Sequence, residues 1–144
     1  MAWFKKKHKD KVVDDGLRQQ GVDCALKDMA KNRDKLDFSN ESIKVVEEFL
    51  AGVHNDFVKD KNEEGLFGVA LECAFYIMAT AEKNYGKGVA KQDHPEMGEG
   101  TYPFTIGTMT IFPWAWCMKR IYDGPADNVW TKYQSLVIEK LAKN

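Results

Sequence analysis

The chain has 144 residues, of which 44% are hydrophobic and 30% charged, and its formal net charge is −1. A chain of this size can bury roughly 70% of the surface that it exposes when unfolded, which is enough for one core. The composition excludes a disordered or fibrous protein, so the sequence predicts one folded domain.

Charge is distributed unevenly along the chain. Residues 1–11 hold five lysines and one aspartate, which leaves 16 basic and 21 acidic residues and a net charge of −5 in the remainder. This predicts a basic flexible tail over 1–11 ahead of a single α+β domain over 12–144. Because the domain is acidic, nucleic acid is not an expected partner.

The basic segment also opens one alternative function. Two aromatic residues stand ahead of the lysine run, and such a segment can rest on an anionic membrane surface. The alternative is therefore a peripheral membrane protein with a weak surface contact. The residues that would make this contact are Trp3, Phe4, Lys5, Lys6 and Lys7.

The cellular compartment is predicted from two absences. No apolar region typical of a secretory signal follows the lysines. The cysteines Cys24, Cys73 and Cys117 are odd in number and far apart, and two of them lie in apolar runs. This pattern is typical of free thiols in a reducing compartment, so we expect a cytoplasmic protein without a disulfide framework.

Hydrophobic spacing predicts three helical regions in the first part of the chain, near 14–31, 40–58 and 64–84, and the first of these is either one helix or two short ones. Ser39 is expected to cap the second of them. The third is apolar around nearly its whole circumference, with Glu72 as the only charge in its central part, so it is expected to lie at the centre of the fold. A membrane span is excluded, because it needs about 20 apolar residues and rarely carries a carboxylate at its middle.

Between residues 87 and 112, the spacing of apolar residues changes from the helical period to the alternation typical of β-strands. This predicts a small antiparallel sheet of two to three strands. Gly107 marks either a bulge or a hairpin turn that divides the longest run into strands 102–106 and 108–112, and both faces are expected to be at least half covered. Two further helices, near 113–122 and 126–142, complete an α+β domain of about five helices packed on this sheet.

Several short motifs follow one another along the chain, each occurring once. They are Asp37, Phe38 and Ser39 before the second helix, Gly68 through Leu71 and Glu72 in the third, Lys119 and Arg120 in the fourth, and Asp123, Gly124, Pro125 and Asp127 after it. Over residues 36–136 this order resembles a family of small uncharacterised bacterial domains. Leu71 replaces the usual glycine before the glutamate, and the tryptophan common on the following strand is absent. The resemblance implies an α+β fold without known catalysis, among accessory or toxin-neutralising proteins.

The sharpest local motif is the loop around His94. The residues His94 and Glu96 supply the His-x-Glu half of the zinc deaminase signature. The Pro-Cys-x-x-Cys half is missing, so a tetrahedral zinc site cannot be completed by this pattern. We therefore expect an exposed polar loop, no metal and no other cofactor.

A carboxylate on an otherwise apolar helix must be neutralised or paired, because an unpaired charge in a low dielectric costs several kcal/mol. Arg120, or its neighbour Lys119, reaches Glu72 if the third and fourth helices pack together. The pair would either fix this packing or form the polar part of a ligand pocket. Cys73 and Cys117 are expected to be buried and inert, so no catalytic residue is assigned.

Four aromatic residues are candidate interface residues: Trp114, Trp116, Tyr122 and Trp130. Positions 114 and 116 cannot share one helix face, so one of the two is expected at the surface. An exposed tryptophan beside acidic groups is a typical interface anchor. The sequence thus favours a non-catalytic protein that binds another protein, with toxin neutralisation as a specific form. The alternative is a small-ligand-binding or enzymatic domain with a pocket formed by Glu72 and Arg120.

Overall fold

Long amphipathic segments form helices where the sequence predicts them. The computed structural model describes residues 11–142, so most of the predicted basic tail, including Trp3 to Lys7, lies outside the described residues. The four long helices are α1 (Asp15–Asp28), α2 (Ile43–Asp60), α3 (Leu66–Tyr85) and α4 (Pro113–Asp123). A 3-10 helix (Ala30–Lys35) follows α1, and a 3-10 turn (Asn40–Ser42) precedes α2.

The predicted last helix is interrupted. It consists of α5 (Val129–Tyr133) and α6 (Glu139–Leu141), joined by a π-helical turn (Gln134–Ile138). The side chain of Asn128 caps α5 by accepting a hydrogen bond from the Thr131 amide at 2.9 Å. The C-terminal segment therefore keeps its helical path with one widened turn.

Ser39 occupies the predicted N-cap position, with extended backbone, at the start of the 3-10 turn that leads into α2. Its side chain makes no capping hydrogen bond. Instead, its carbonyl oxygen accepts a bond of 2.6 Å from the Ser42 hydroxyl and one of 3.0 Å from the Ser42 amide. The reason is that α2 is entered through a 3-10 turn, whose three-residue repeat brings both donors of Ser42 onto this carbonyl.

The sheet is antiparallel, with strands β1 (Gly88–Ala90), β2 (Phe104–Ile106) and β3 (Met109–Ile111) in the order β1-β2-β3. Gly107 lies in the turn between β2 and β3, with φ at 61°, which confirms the hairpin alternative over the bulge. A positive φ at the first central position is typical of the two-residue hairpin turn that requires glycine there.

The two faces of the sheet differ in burial. Phe104, Ile106 and Ile111 are buried, whereas Thr105 and Thr110 are exposed and hydrogen-bonded to each other at 2.9 Å. The expectation that both faces are at least half covered is therefore wrong. The hairpin reverses the chain at Gly107, so the apolar residues of both strands point to the same side.

The core is centred on α3, as predicted. Residues Cys73 to Met78 of this helix are all buried, and α1 and α4 pack against it, while α2 packs against α4. These contacts and the sheet confirm the α+β fold class for the described part of the chain. None of the helices in residues 11–142 combines the length and apolar character that a membrane crossing requires.

Candidate functional site

Three aromatic side chains meet at the protein surface where α3, α4 and the loop before β2 come together. Phe67 and Trp114 are the second residues of α3 and α4, respectively, and their ring centroids lie 5.0 Å apart. The ring of Tyr102 lies 6.0 Å from that of Trp114 and 6.3 Å from that of Phe67. We call Phe67, Tyr102 and Trp114 the aromatic face.

Local sequence explains why these rings are held at the surface. Gly65 precedes α3 with φ at 79°, a conformation that glycine adopts without strain, so the first turn of α3 begins abruptly and leaves Phe67 49% exposed. Pro113 occupies the first position of α4, where its fixed φ and missing N–H are compatible with a helix start. Both helix ends are therefore well defined.

Tyr102 has an unusual backbone. Its φ is 50°, in the left-handed region that residues with a Cβ adopt at a cost of about 1 to 3 kcal/mol. Two hydrogen bonds hold it there: the Tyr102 amide donates to the Gln92 carbonyl at 3.1 Å, and the Gly100 amide donates to Asp93 Oδ1 at 2.8 Å. The loop thus maintains a strained residue at the aromatic face.

The indole N–H of Trp114 also makes no hydrogen bond within the described residues. Its Nε1 is shielded from solvent, and no acceptor among residues 11–142 lies within hydrogen-bonding distance. A covered donor without an acceptor costs about 1 to 3 kcal/mol. A tryptophan that served packing alone would be expected to bond this N–H, because most buried polar groups are hydrogen-bonded.

His94 helps to fix the shape of the loop that leads to Tyr102. Its Nδ1 accepts hydrogen bonds from the amides of Glu96 and Met97 at 3.1 and 3.0 Å. The imidazole ring contacts that of Phe112, with centroids 5.4 Å apart. Within residues 11–142, no group of three or more His, Cys, Asp or Glu side chains is arranged to hold a metal ion. In this structure His94 shapes the loop that ends at Tyr102.

Arg120 is not paired with Glu72, contrary to the prediction. Its Nε donates to both carboxylate oxygens of Glu47, at 3.0 and 2.9 Å. Both α2 and α3 contact α4, and it is α2 that presents the carboxylate on the side where Arg120 is buried. Lys119 is exposed on α4. The predicted pocket of Glu72 and Arg120 is therefore not assembled.

Glu72 instead lies beside another carboxyl group. Partial burial, together with a hydrogen bond and repulsion from Asp28, raises the pKa of Glu72 to about 7. Its Oε2 is shielded from solvent and has no hydrogen-bond partner among the described residues. Near neutral pH, Glu72 is therefore protonated in part of the molecules, because burial and the adjacent carboxyl group disfavour its charged form.

The other three candidate interface residues are dispersed. Trp116 is buried, which confirms that only one of the tryptophans at 114 and 116 reaches the surface. Tyr122 donates from its hydroxyl to Glu63 Oε1 at 2.7 Å, and its ring packs edge-on against Phe57 with centroids 4.9 Å apart. Trp130 lies elsewhere, with the Lys44 amine 5.1 Å from its ring centroid. Only Trp114 belongs to the aromatic face.

Sequence reasoning missed two of the three residues of this face. Phe67 lies in the apolar run that predicts a fully buried helix, and its position in the first turn was the signal that solvent reaches it. The sequence pattern predicts Tyr102 in a strand, but Tyr102 lies in the loop before β2, where Pro103, Gly98 and Gly100 favour irregular backbone. The spacing of apolar residues cannot show that Phe67 and Tyr102 are exposed. The buried side of a helix or strand ends where the element ends, and both residues lie near such an end.

The three cysteines are free. Cys24 is exposed, and Cys73 and Cys117 are buried. Burial raises the pKa of both buried thiols well above the usual range, so they carry no nucleophilic thiolate at neutral pH. The predicted burial of Cys73 and Cys117 is confirmed.

Comparison of the chain with protein-family models, with curated proteins and with solved structures finds no match.

Proposed function

We propose that this protein is a non-catalytic binding module that recognises another protein through the aromatic face. The observation that carries the proposal is the contact of three aromatic rings at the surface, with Phe67 49% exposed at their edge. Tyrosine and tryptophan are enriched among the residues that dominate binding energy, because they supply large rigid contact areas.

Two further features support a binding role over a packing role. The Tyr102 backbone is strained, and the Trp114 N–H has no acceptor among the described residues. Strained and unsatisfied groups persist mainly at functional sites, where the rest of the fold maintains them. A face that served the core alone would gain stability by losing both features.

The proposal that the bound protein is a toxin rests on the sequence. The resemblance over residues 36–136 implies an accessory or toxin-neutralising protein, and we propose toxin neutralisation as this form. A cytoplasmic location is part of the same proposal, since the free thiols of all three cysteines suit a reducing compartment. Arg120 is bound to Glu47, which argues against the alternative of a ligand pocket formed by Glu72 and Arg120.

Purification from native cells tests the proposal. The full chain and two variants, Phe67→Ala and Trp130→Ala, would be recovered and analysed by mass spectrometry. We expect the full chain and Trp130→Ala to retain one protein companion in stoichiometric amount and Phe67→Ala to lose it. Trp130 is a suitable control, since it is a partly exposed tryptophan outside the aromatic face. Equal retention by both variants, or a retained metabolite in place of a protein, would contradict the proposal.

A further inference from the structure

A small hollow lies on the exposed face of the sheet, beside the hydrogen-bonded hydroxyl groups of Thr105 and Thr110. Its volume is about 180 Å³. Among the side chains that line it are Asp93, His94, Pro95, Pro103, Thr105 and Thr110. We call it the sheet hollow. It shares no residue with the aromatic face, so a ligand bound there would add a second function to the proposed one.

Backbone hydrogen bonds fix the walls of the sheet hollow. The Lys91 amide donates to the Pro103 carbonyl at 3.0 Å, which holds the segment after β1 against the segment before β2. The amides of His94 and Gly98 donate to each other's carbonyls at 2.9 and 3.0 Å. Because the walls are already ordered, a ligand that enters the hollow meets a small ordering cost.

Asp93 supplies an acceptor to the sheet hollow. Its side chain is largely buried, with 8% of the residue exposed, and its Oδ1 accepts the Gly100 amide at 2.8 Å. Its Oδ2 has no hydrogen-bond partner among residues 11–142. Buried polar groups are usually hydrogen-bonded, so this oxygen is available to a donor that enters the hollow.

His94 supplies a donor. Its Nδ1 accepts the amides of Glu96 and Met97, so Nδ1 carries no proton and the ring hydrogen lies on Nε2. This N–H has no acceptor in the part of the chain that the structure describes. In the sheet hollow, the neutral imidazole therefore offers one N–H donor and no acceptor.

The two threonines supply both kinds of group. Their hydroxyl oxygens lie 2.9 Å apart, so one hydroxyl donates to the other. The hydrogen of the accepting hydroxyl is not used in this bond, and both oxygens retain lone pairs. Thr105 and Thr110 can therefore donate to a ligand and accept from it.

We infer that the sheet hollow binds a compact, uncharged ligand with several hydroxyl groups, of the size of a monosaccharide. A hydroxyl group both donates and accepts, so such a ligand can donate to Asp93 Oδ2, accept from His94 Nε2–H and bond to the threonine pair. The hollow is smaller than the roughly 300 to 1,000 Å³ of sites for drug-sized ligands, which limits the ligand to a compact one.

Charged ligands fit the sheet hollow less well. An anion would be repelled by the Asp93 carboxylate. A metal ion would find Nδ1 of His94 engaged and Nε2 protonated. Lys91 also lines the hollow, so its formal charges cancel and select neither sign. A ligand that only accepts or only donates hydrogen bonds would leave part of the lining unpaired, which is unfavourable.

Nuclear magnetic resonance titration of the full chain with glucose, galactose and mannose tests the inference. Acetate, methylammonium and glycine serve as charged probes. We expect at least one of the three sugars to shift the amide resonances of Asp93, Thr105 and Thr110 in a saturable manner. The charged probes should bind more weakly than that sugar.

Two variants locate the site. Asp93→Asn keeps an oxygen for the Gly100 amide but replaces the second acceptor by a donor. Thr105→Val/Thr110→Val removes both hydroxyls and keeps β-branched side chains, which suit exposed strand positions. Each variant should bind the sugar at least fivefold more weakly. Thr131→Val, an exposed threonine of α5, is the matched control and should bind within twofold of the wild type.

Four results would overturn the inference. The first is that none of the sugars gives saturable shifts up to about 100 mM. The second is that the shifts lie away from the sheet hollow, and the third is that a charged probe binds more tightly than every sugar. The fourth is that the threonine pair variant binds the sugar as well as Thr131→Val does.

Discussion

Arg120 Nε donates to both carboxylate oxygens of Glu47, at 3.0 Å from Oε1 and 2.9 Å from Oε2. The two side chains are 5% and 13% exposed. Glu47 Oε1 also accepts the Val129 amide at 3.0 Å. One carboxylate therefore ties α2 to α4 and to the start of α5, at the place where the chain turns into its last helices.

Removing one partner of this pair should be strongly destabilising. We expect Glu47→Ala to lower the free energy of unfolding by about 3 kcal/mol, because the Arg120 charge stays buried without a partner. The double variant Glu47→Leu/Arg120→Met should lose less than Glu47→Ala, since no charge remains buried. Urea denaturation measures both. A loss below about 1 kcal/mol in Glu47→Ala would contradict a buried structural role.

The partner of Arg120 shows a limit of sequence reasoning. The sequence indicates that Glu72, on an apolar helix, needs to be neutralised or paired, but its pairing with Arg120 is expected only if α3 packs with α4. The rotation of α4 about its axis was not visible, because α2 and α3 both pack against α4 and both carry a glutamate. Charged residues of an amphipathic helix usually face solvent, so the sequence pattern does not mark Glu47 as a buried partner.

Glu72 should make stability depend on pH. Partial burial and the neighbouring Asp28 raise its pKa from 4.5 to about 7 in the folded protein. The folded state therefore binds more protons than the unfolded state between these values, and stability falls as the pH rises through this window. Above pH 7, we expect Glu72→Gln to be more stable than the wild type by about 1 kcal/mol, a figure reduced for solvent screening because Glu72 is only partly buried.

Denaturation at several pH values checks this expectation. The difference between Glu72→Gln and the wild type should vanish below pH 4.5, where Glu72 is protonated in both states. Asp28→Asn should flatten the pH dependence, since it removes the neighbouring negative charge. Glu139→Gln, a change at an exposed position of α6, serves as the control. A pH-independent difference for Glu72→Gln would contradict the carboxyl pair.

The hairpin and the aromatic face show which features of a sequence are local. The sequence marks Gly107 as either a bulge or a hairpin turn, and the positive φ at Gly107 corresponds to the turn; the apolar pattern predicts the four long helices. The aromatic face joins residues 67, 102 and 114, which are distant in sequence and meet only through tertiary packing. Of these, Trp114 alone was predicted, since the contrast with Trp116 is set by the geometry of one helix.

The thiols should differ sharply in reactivity. Cys24 is exposed, whereas Cys73 and Cys117 are buried with raised pKa values. We expect a chromogenic disulfide reagent to modify Cys24 in the native protein and all three cysteines in urea, because only an accessible thiolate reacts. Cys24→Ser, the matched control, should leave no rapidly reacting thiol in the native state. Modification of Cys73 or Cys117 at the rate of Cys24 would show that the α3–α4 interior opens readily.

Gly124 and Gly52 should respond to alanine in opposite directions. Gly124 follows α4 with φ at 97° and ψ at −156°, a region that is essentially restricted to glycine. A Cβ there would lie 3.0 Å from Nε2 of His54, whose Nδ1–H donates to the Ile121 carbonyl at 2.6 Å. Gly52 lies within α2, and a Cβ there meets no atom within 4 Å.

We therefore expect Gly124→Ala to lower the free energy of unfolding by about 2 kcal/mol, through backbone strain and displacement of His54. Gly52→Ala should raise it by about 0.5 to 1 kcal/mol, since alanine favours a helix interior more than glycine does. Thermal and urea denaturation measure both changes against the wild type. A shift of the same sign in the two variants would contradict the glycine-dependent turn after α4, because both replacements restrict the unfolded chain alike and differ only in the folded state.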